Sequence, residues 1–175
     1  MALQDFTTWT KVEADALITI TAHDIACSDT AASNSDRVYK DYAAGHFSGN
    51  FTHQFEFTLH TINAGAHFRI WALSNQSGGQ FFFGNDTIAL SIISYGTGFK
   101  IVLEDVGGQY SGYCAATLVL QTRYYITIIR EGAVYTAYVR TGSHTGTQIT
   151  TATITPASAI SAEYLYAFAD NLNDE

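Results

Sequence analysis

Residues 51–60 read FTHQFEFTLH, and this stretch decides the fold class. Phenylalanine or leucine stands at positions 51, 55, 57 and 59, and threonine, glutamine or glutamate stands at positions 52, 54, 56 and 58. A period of two gives a strand one apolar and one polar face, so the stretch is predicted to be a half-buried β-strand. His53 falls on the apolar face, where we expect a packed and hydrogen-bonded imidazole.

Short runs of the same kind recur along the whole chain. They are rich in β-branched and aromatic residues and are separated by glycine- or asparagine-containing turns. They cover residues 17–23, 37–42, 67–73, 88–94, 99–104, 116–120, 124–130, 133–140, 149–155 and 164–169. No window of a dozen residues keeps helical spacing. The pattern predicts an all-β fold with two antiparallel sheets packed face to face, in one domain spanning residues 1–175.

Charge and hydropathy limit the partners. Only 14% of residues are charged, the formal net charge is −8, and the eight basic residues are dispersed. A polyphosphate would be repelled, so nucleic acid is excluded and a neutral partner is favoured. No apolar run reaches the roughly 20 residues that span a bilayer, so no membrane insertion is expected. The first residues, MALQD, lack a signal-peptide pattern, so the location stays open among a cytoplasmic, a trimmed and an otherwise exported chain. A virion surface or another extracellular setting is favoured, since virion proteins need no signal peptide to leave a lysed cell.

The two cysteines and the acidic C-terminal segment are the features that bear on a disulfide or a metal site. Cys27 and Cys114 lack the paired spacing of zinc or redox motifs, so they are predicted to be small buried hydrophobes, with a disulfide left open. The terminal segment 170–175, DNLNDE, carries oxygen ligands that suit calcium, although acidic tails are usually solvated. The sequence therefore predicts no cofactor and no metal ligands, with a structural calcium ion as the alternative.

Several stretches together resemble the laminin-G-like branch of the concanavalin A-like lectin and glucanase superfamily. The resemblance covers residues 7–169 and implies a two-sheet antiparallel jelly-roll sandwich. It rests on VYKDY at 38–42 with GHF at 45–47, the strand 51–59, IWALSN at 70–75, and the hairpin YYITIIREG at 124–132. Members of this superfamily act as lectins, carbohydrate-binding modules, glycanases or surface modules, so the fold alone does not choose the activity.

The catalytic pattern of the family's glycanases is missing. Those enzymes place two carboxylates on one strand in a Glu-x-Asp-x-Glu arrangement, because retaining hydrolysis needs an acid and a nucleophile about 5 Å apart. Neither Glu56 nor the pair Glu104 and Asp105 is followed by the required second carboxylate. No catalytic residue is therefore predicted, and the chain is expected not to be an enzyme.

Aromatic residues indicate where a ligand would bind. Strict alternation places Trp71 in phase with Arg69, which suits a sugar-stacking ring beside a hydrogen-bonding guanidinium. A second buried layer beneath a loop explains Trp71 equally well. Tyr110 and Tyr113, in a glycine-flanked segment, are further candidates, and Asn75 would supply an amide.

Two functions are compatible with these features. The leading hypothesis is a non-catalytic, glycan-recognising module of the lectin or carbohydrate-binding type that takes a neutral glycan. The alternative is a structural or decoration domain of a virion or extracellular assembly, which contacts neighbouring protein subunits and is compatible with a homo-oligomer.

Overall fold

The structure is a computed structural model that describes residues 4–12, 18–27, 36–77, 87–105, 110–156 and 160–170. Apart from one 3₁₀ turn at Phe6–Thr8, its regular elements are thirteen strands. They are β1 (Thr10–Val12), β2 (Ile18–Ile20), β3 (Ile25–Cys27), β4 (Arg37–Asp41), β5 (Phe51–Thr58), β6 (His67–Ser74), β7 (Thr87–Tyr95), β8 (Gly98–Asp105), β9 (Tyr110–Tyr113), β10 (Arg123–Glu131), β11 (Val134–Thr141), β12 (Thr147–Ile154) and β13 (Tyr164–Asp170).

Two antiparallel sheets form the body of the domain. The large sheet has the strand order β1-β4-β13-β6-β7-β8-β9, and the small sheet has the order β12-β11-β10-β5. Strands β2 and β3 pair separately. One continuous apolar core contains the inward side chains of both sheets, among them Leu90, Ile101, Ile126 and Val139. The predicted all-β sandwich of antiparallel sheets is therefore confirmed.

The strand β5, which contains the FTHQFEFT stretch, is an edge strand. It pairs with β10 alone, in a register that places Phe55 opposite Ile126 and Phe57 opposite Tyr124. Phe55 and Phe57 are partly buried and pack against the core, since an edge strand keeps one side open to solvent. Leu103, in the interior of the large sheet, is fully buried. Each of these three side chains lies on the face that its alternation predicts.

Strands β10 and β11 form the hairpin that the sequence predicts. Glu131 pairs with Val134, so the two loop residues are Gly132 and Ala133. Gly132 has a φ of 62° and occupies the first loop position. A positive φ at the first position only is typical of a type II′ hairpin, which suits the twist of the strands.

A β-bulge interrupts β6 and changes the direction of its side chains. Arg69 pairs with Ser91 and Trp71 pairs with Leu90, so Ile70 is an extra residue without a partner of its own. An extra residue reverses the alternation beyond it. Arg69 consequently points out of the sandwich, and Trp71 points into the core.

Glycine is required where the two sheets meet. Gly112 lies in β9 and faces β12, and a Cβ atom added there would stand 2.7 Å from the carbonyl oxygen of Thr153. No side chain fits at that distance, so the contact between β9 and β12 depends on the missing Cβ.

Candidate functional site

The outer face of the small sheet presents two parallel rows of polar and aromatic side chains. One row crosses the four strands as Gln54, Thr127, Tyr138 and Thr151, and the next crosses them as Glu56, Tyr125, Arg140 and Gln148. These eight residues are called the polar face below. Neighbouring strands lie about 4.8 Å apart, so each row is about 14 Å long.

The direction of the polar face is set by the residues that alternate with it. Ile126, Ile128, Ala137 and Val139 lie between the polar positions of β10 and β11, and all four are 0% exposed. Burial of these side chains fixes the register, because a slip of one residue would move them into solvent and the polar side chains into the core. The core thus holds the polar face in a defined arrangement.

Arg140 is the prominent cation of the polar face. Its guanidinium lies over the ring of Tyr138 at 4.9 Å from the centroid, and its terminal nitrogen donates to Oε1 of Gln148 at 3.4 Å. Within the described part of the chain, no carboxylate lies within ion-pair distance of Arg140. The cation is therefore oriented by an aromatic ring while its charge stays uncompensated.

Another cation on this side of the sheet is paired with a carboxylate. Arg123 lies 3.5 Å from Glu56, and both side chains are largely exposed. Gln54 donates from Nε2 to the hydroxyl of Thr127 at 3.4 Å. The ring of Tyr125 meets the imidazole of His144 edge to face, with their centroids 5.4 Å apart. The result is a surface of ring faces, hydroxyls and amides, which are the groups that bind sugars.

A second cluster of charged groups lies on the outer face of the large sheet. Nε2 of His67 stands 2.9 Å from Oε1 of Glu104, and a terminal nitrogen of Arg69 stands 3.6 Å from Oε2 of the same carboxylate. The carboxylate is 13% exposed and the guanidinium 4%. The opposite charges compensate one another in a largely dry position, so the cluster holds three sheet strands together across β6, β7 and β8.

Trp71 lies on the opposite side of the sheet from the position that strict alternation gave it. It is 4% exposed, and its indole nitrogen donates to Nδ1 of His53 at 3.2 Å. The placement of Trp71 beside Arg69 on one polar face is wrong, because the bulge at Ile70 reverses the alternation between them. The indole is a core side chain, and its only polar group is already bonded.

The remaining predicted ligand residues are spread over the large sheet. Arg69 and Tyr113 share one row of its outer face, through Ser91 and Val102, and stand three strand spacings apart, about 14 Å. Tyr113 is 62% exposed. Asn75 follows β6 directly and is partly buried. Its Oδ1 accepts no hydrogen bond from the described residues.

Two predicted features lie wholly or partly outside the described residues. Tyr110 begins β9, but its side chain is outside the description, as is the segment 171–175 of the acidic tail that suits calcium. In the described ranges no three histidine, cysteine or acidic side chains are grouped as metal ligands. Cys27 and Cys114 are not joined by a disulfide, and burial raises the pKa of Cys114 to about 11. A ligand role for Tyr110 and Tyr113 stays a prediction.

His53 is a core imidazole with an altered acidity. It stacks on Phe51 at 4.5 Å and lies beside Phe47 and Trp71. Burial, with a smaller contribution from the charge of His46, lowers the pKa of His53 from 6.5 to about 4. Since Nδ1 accepts the indole hydrogen bond, the ring is neutral and carries its proton on Nε2. The prediction of a packed and hydrogen-bonded His53 is confirmed.

The sequence contains a signal for the polar face that the alternation of single strands does not reveal. Strands are predicted at 124–130 and 133–140, with a hairpin between them. Folding the two strands on that hairpin brings Tyr125 opposite Arg140 and Thr127 opposite Tyr138. Pairing the polar positions across the hairpin groups these four residues from the order of the sequence alone.

Comparisons with known proteins were made for the whole chain. No family model matches it, and no curated protein matches it closely enough to count as a relative. A solved structure of full-length tailspike protein 2 from a bacteriophage of Escherichia coli O157:H7 is similar, with a TM-score of 0.53 and 13% identity over 99% of this chain. The enzymatically active domain of bacteriophage CBA120 tailspike protein 2 has the same TM-score and 14% identity over 95% of this chain.

The chain spans about a quarter of each tailspike structure, namely 25% and 26% of their lengths. At this level of identity the likeness concerns the fold. It also contradicts the expectation, drawn from the missing glycanase motif, that the chain is not an enzyme. One of the similar structures is an enzymatically active domain, so the missing motif does not separate this chain from active proteins. No helix in the described residues is long and apolar enough to cross a membrane.

Proposed function

We propose that the chain is a glycan-recognising module of a virion-associated protein of the tailspike type. The observation that carries the proposal is the polar face, where Tyr125, Tyr138 and Arg140 are half-buried among threonine and glutamine side chains on a rigid sheet. Sugars bind through two kinds of contact, which are stacking of C–H faces on flat rings and hydrogen bonds to hydroxyls. The polar face offers both kinds within two neighbouring rows.

The architecture and the neighbours support this proposal. Two antiparallel sheets in a sandwich agree with the concanavalin A-like jelly roll that the sequence resembles, and we include that fold in the proposal. The similar structures are phage tailspike proteins. A virion protein that recognises a surface glycan also fits a chain with few charges and a net charge of −8, because its surface polarity comes mainly from hydroxyls and amides.

Affinity is expected to be modest. The polar face is a flat surface, which buries only one side of a sugar and orders few of its hydroxyls. A dissociation constant of about 10 μM to 1 mM per site follows from such limited contact. Several copies on one virion would raise the effective affinity by multivalency.

A structural role in subunit assembly is the second candidate. Its supporting observation is a group of exposed large side chains near β7, β8 and β9, where Val119 is 65% exposed, Tyr113 62% and Tyr95 53%. Tyr95 is covered on one side by the ammonium group of Lys100 at 3.9 Å. Exposed apolar residues in one region are typical of surfaces that contact other subunits.

One experiment separates the two candidates and locates the site. A glycan array selects a ligand, which is then titrated against the native chain, Tyr138→Ala and Tyr113→Ala, while light scattering measures the mass in solution. We expect Tyr138→Ala to weaken binding about tenfold, some 1.4 kcal/mol, and Tyr113→Ala to leave it unchanged. The reverse result moves the site to β9. An array without ligands and a mass that rises with concentration favour the assembly role.

The same samples are used to test whether the chain hydrolyses the glycans that it binds. Because the fold occurs in an enzymatically active tailspike domain, each glycan that binds is incubated with the chain and assayed for released reducing ends. Release that is lost in Glu56→Gln assigns the reaction to the polar face. Release that is lost in Glu104→Gln instead assigns it to the outer face of the large sheet.

A further inference from the structure

Arg140 stands out from the charge distribution of the molecule. The chain has sixteen acidic and eight basic residues, so a basic side chain has many available carboxylate partners. Arg140 is half-buried, yet its contacts are the ring of Tyr138 and the amide oxygen of Gln148. Its positive charge is therefore held in place by neutral groups.

The nearest carboxylates of the same sheet are distant or engaged. Glu56 lies two strands away across Tyr125, about 10 Å, and is paired with Arg123. Glu131 lies in β10 six residues beyond Tyr125, the residue opposite Arg140, and so about 20 Å along the strand. Neither of these two carboxylates of the small sheet therefore pairs with Arg140.

We propose that Arg140 binds the carboxylate of an acidic sugar residue, as found in uronic or nonulosonic acids. This inference rests on the proposed function and names the class of glycan that the polar face selects. A guanidinium presents two parallel N–H groups that match a carboxylate. Its fixed position over Tyr138 means that little side-chain freedom is lost when the ligand binds.

The neighbouring side chains complete a site for one such residue. Tyr125 is the direct cross-strand partner of Arg140, so the Cβ atoms of the two residues lie about 5 Å apart, while Gln148 on the other side offers an amide for hydroxyls. A pyranose that rests on Tyr125 would place its carboxylate at the guanidinium. A polyphosphate is not favoured, because a single cation does not offset repulsion by a chain with a net charge of −8.

The test compares acidic probes with neutral probes of the same ring structure. The methyl glycoside of galacturonic acid is titrated against its methyl ester, and sialyllactose against its carboxyl methyl ester, so that the members of each pair differ in one charge and the two arms distinguish uronic from nonulosonic acids. We expect at least one acidic probe to bind the native chain about tenfold more tightly than its neutral counterpart. That preference should decline as sodium chloride is raised from 50 to 500 mM, since exposed charges are screened.

Variants assign the preference to one side chain. Arg140→Gln should abolish it, and Arg140→Lys should keep only part of it, because an ammonium group lacks the planar fork. Arg123→Gln is the matched control, as this exposed arginine of the same sheet is already paired with Glu56. Its preference should equal that of the native chain. The unfolding temperatures of all variants are compared to show that each variant is folded. The comparison of acidic and neutral probes on the native chain does not depend on any variant.

The outcomes separate this inference from the proposed function. Equal binding of acidic and neutral probes, or a preference that survives in Arg140→Gln, overturns the role of Arg140 while sugar binding at the polar face stands. If no probe and no array glycan binds, and Tyr138→Ala changes nothing, both the inference and the proposed function fail.

Discussion

The buried imidazole of His53 makes stability depend on pH in a way that can be calculated. Its pKa is lowered from 6.5 to about 4 in the folded chain, so the unfolded chain takes up a proton first as the pH falls. Stability from this group is complete above pH 6.5 and is lost between pH 6.5 and pH 4. The full difference of about 2.5 units corresponds to about 3 kcal/mol, of which about 2 kcal/mol is lost by pH 5.

Urea unfolding at pH 7.5 and pH 5.0 measures this loss. Both tryptophans, Trp9 and Trp71, are buried, so their fluorescence reports the transition. The control is His53→Gln, which keeps an acceptor for the indole N–H of Trp71 but does not titrate. We expect the native chain to lose about 2 kcal/mol more than the variant between the two pH values.

The choice of pH range keeps the carboxylates out of the measurement. Most aspartate and glutamate side chains remain ionised at pH 5, because their ordinary pKa values are near 4. An equal loss in the native chain and in His53→Gln would refute the reasoning. It would mean that the imidazole is hydrated in the folded state or that Trp71 does not donate to it.

Four further outcomes are expected. Gly112→Ala should destabilise the fold by about 1–3 kcal/mol in urea unfolding, because its Cβ meets a carbonyl oxygen at 2.7 Å, while Gly49→Ala, with open space around it, should have little effect. Phe99→Ala, at a side chain that is 0% exposed, should lower the free energy of unfolding by about 3–5 kcal/mol. Glu104→Gln should lower it by about 2 kcal/mol or more, since it removes a charge that faces the buried guanidinium of Arg69. Tyr125→Ala should weaken glycan binding about tenfold in a calorimetric titration.

Most of the longer strands were predictable because their information is local, whereas the predicted strand at 116–120 forms only an isolated bridge between Leu118 and Phe99. In β5, β10 and β11 one face of each strand is mainly apolar, with His53 and Arg130 as the exceptions, and this face packs against the core as the alternation indicates. The hairpin at Gly132 was predictable for the same reason, since only the backbone of a short loop is involved. Where side chains alternate regularly between core and solvent, the alternation of apolar and polar residues can be seen in the sequence.

The composition of the polar face depends on which strands become neighbours. The polar face contains aromatic rings, a guanidinium and an amide on Tyr125, Tyr138, Arg140 and Gln148, none of which the sequence singled out as ligand residues. Gln148 and Glu56 are far apart in sequence and reach one row only because β12, β11, β10 and β5 pair in that order. Sequence spacing alone does not give that order.

Phe57 and Trp71 show which side-chain placements follow from local alternation and which depend on strand pairing. Phe57 obeys strict alternation, so the sequence by itself determined its face, as it determined the all-β class and the antiparallel sandwich. Trp71 follows the bulge at Ile70, which exists because β6 must match the register of β7 on one side. Hydrogen bonding and core packing between strands determine whether a residue forms a bulge. Neither effect is visible in the alternation of a single strand. The hydrogen bond between Trp71 and His53 in the core, and the position of Arg140 on the outer face, therefore follow from strand pairing in the folded chain.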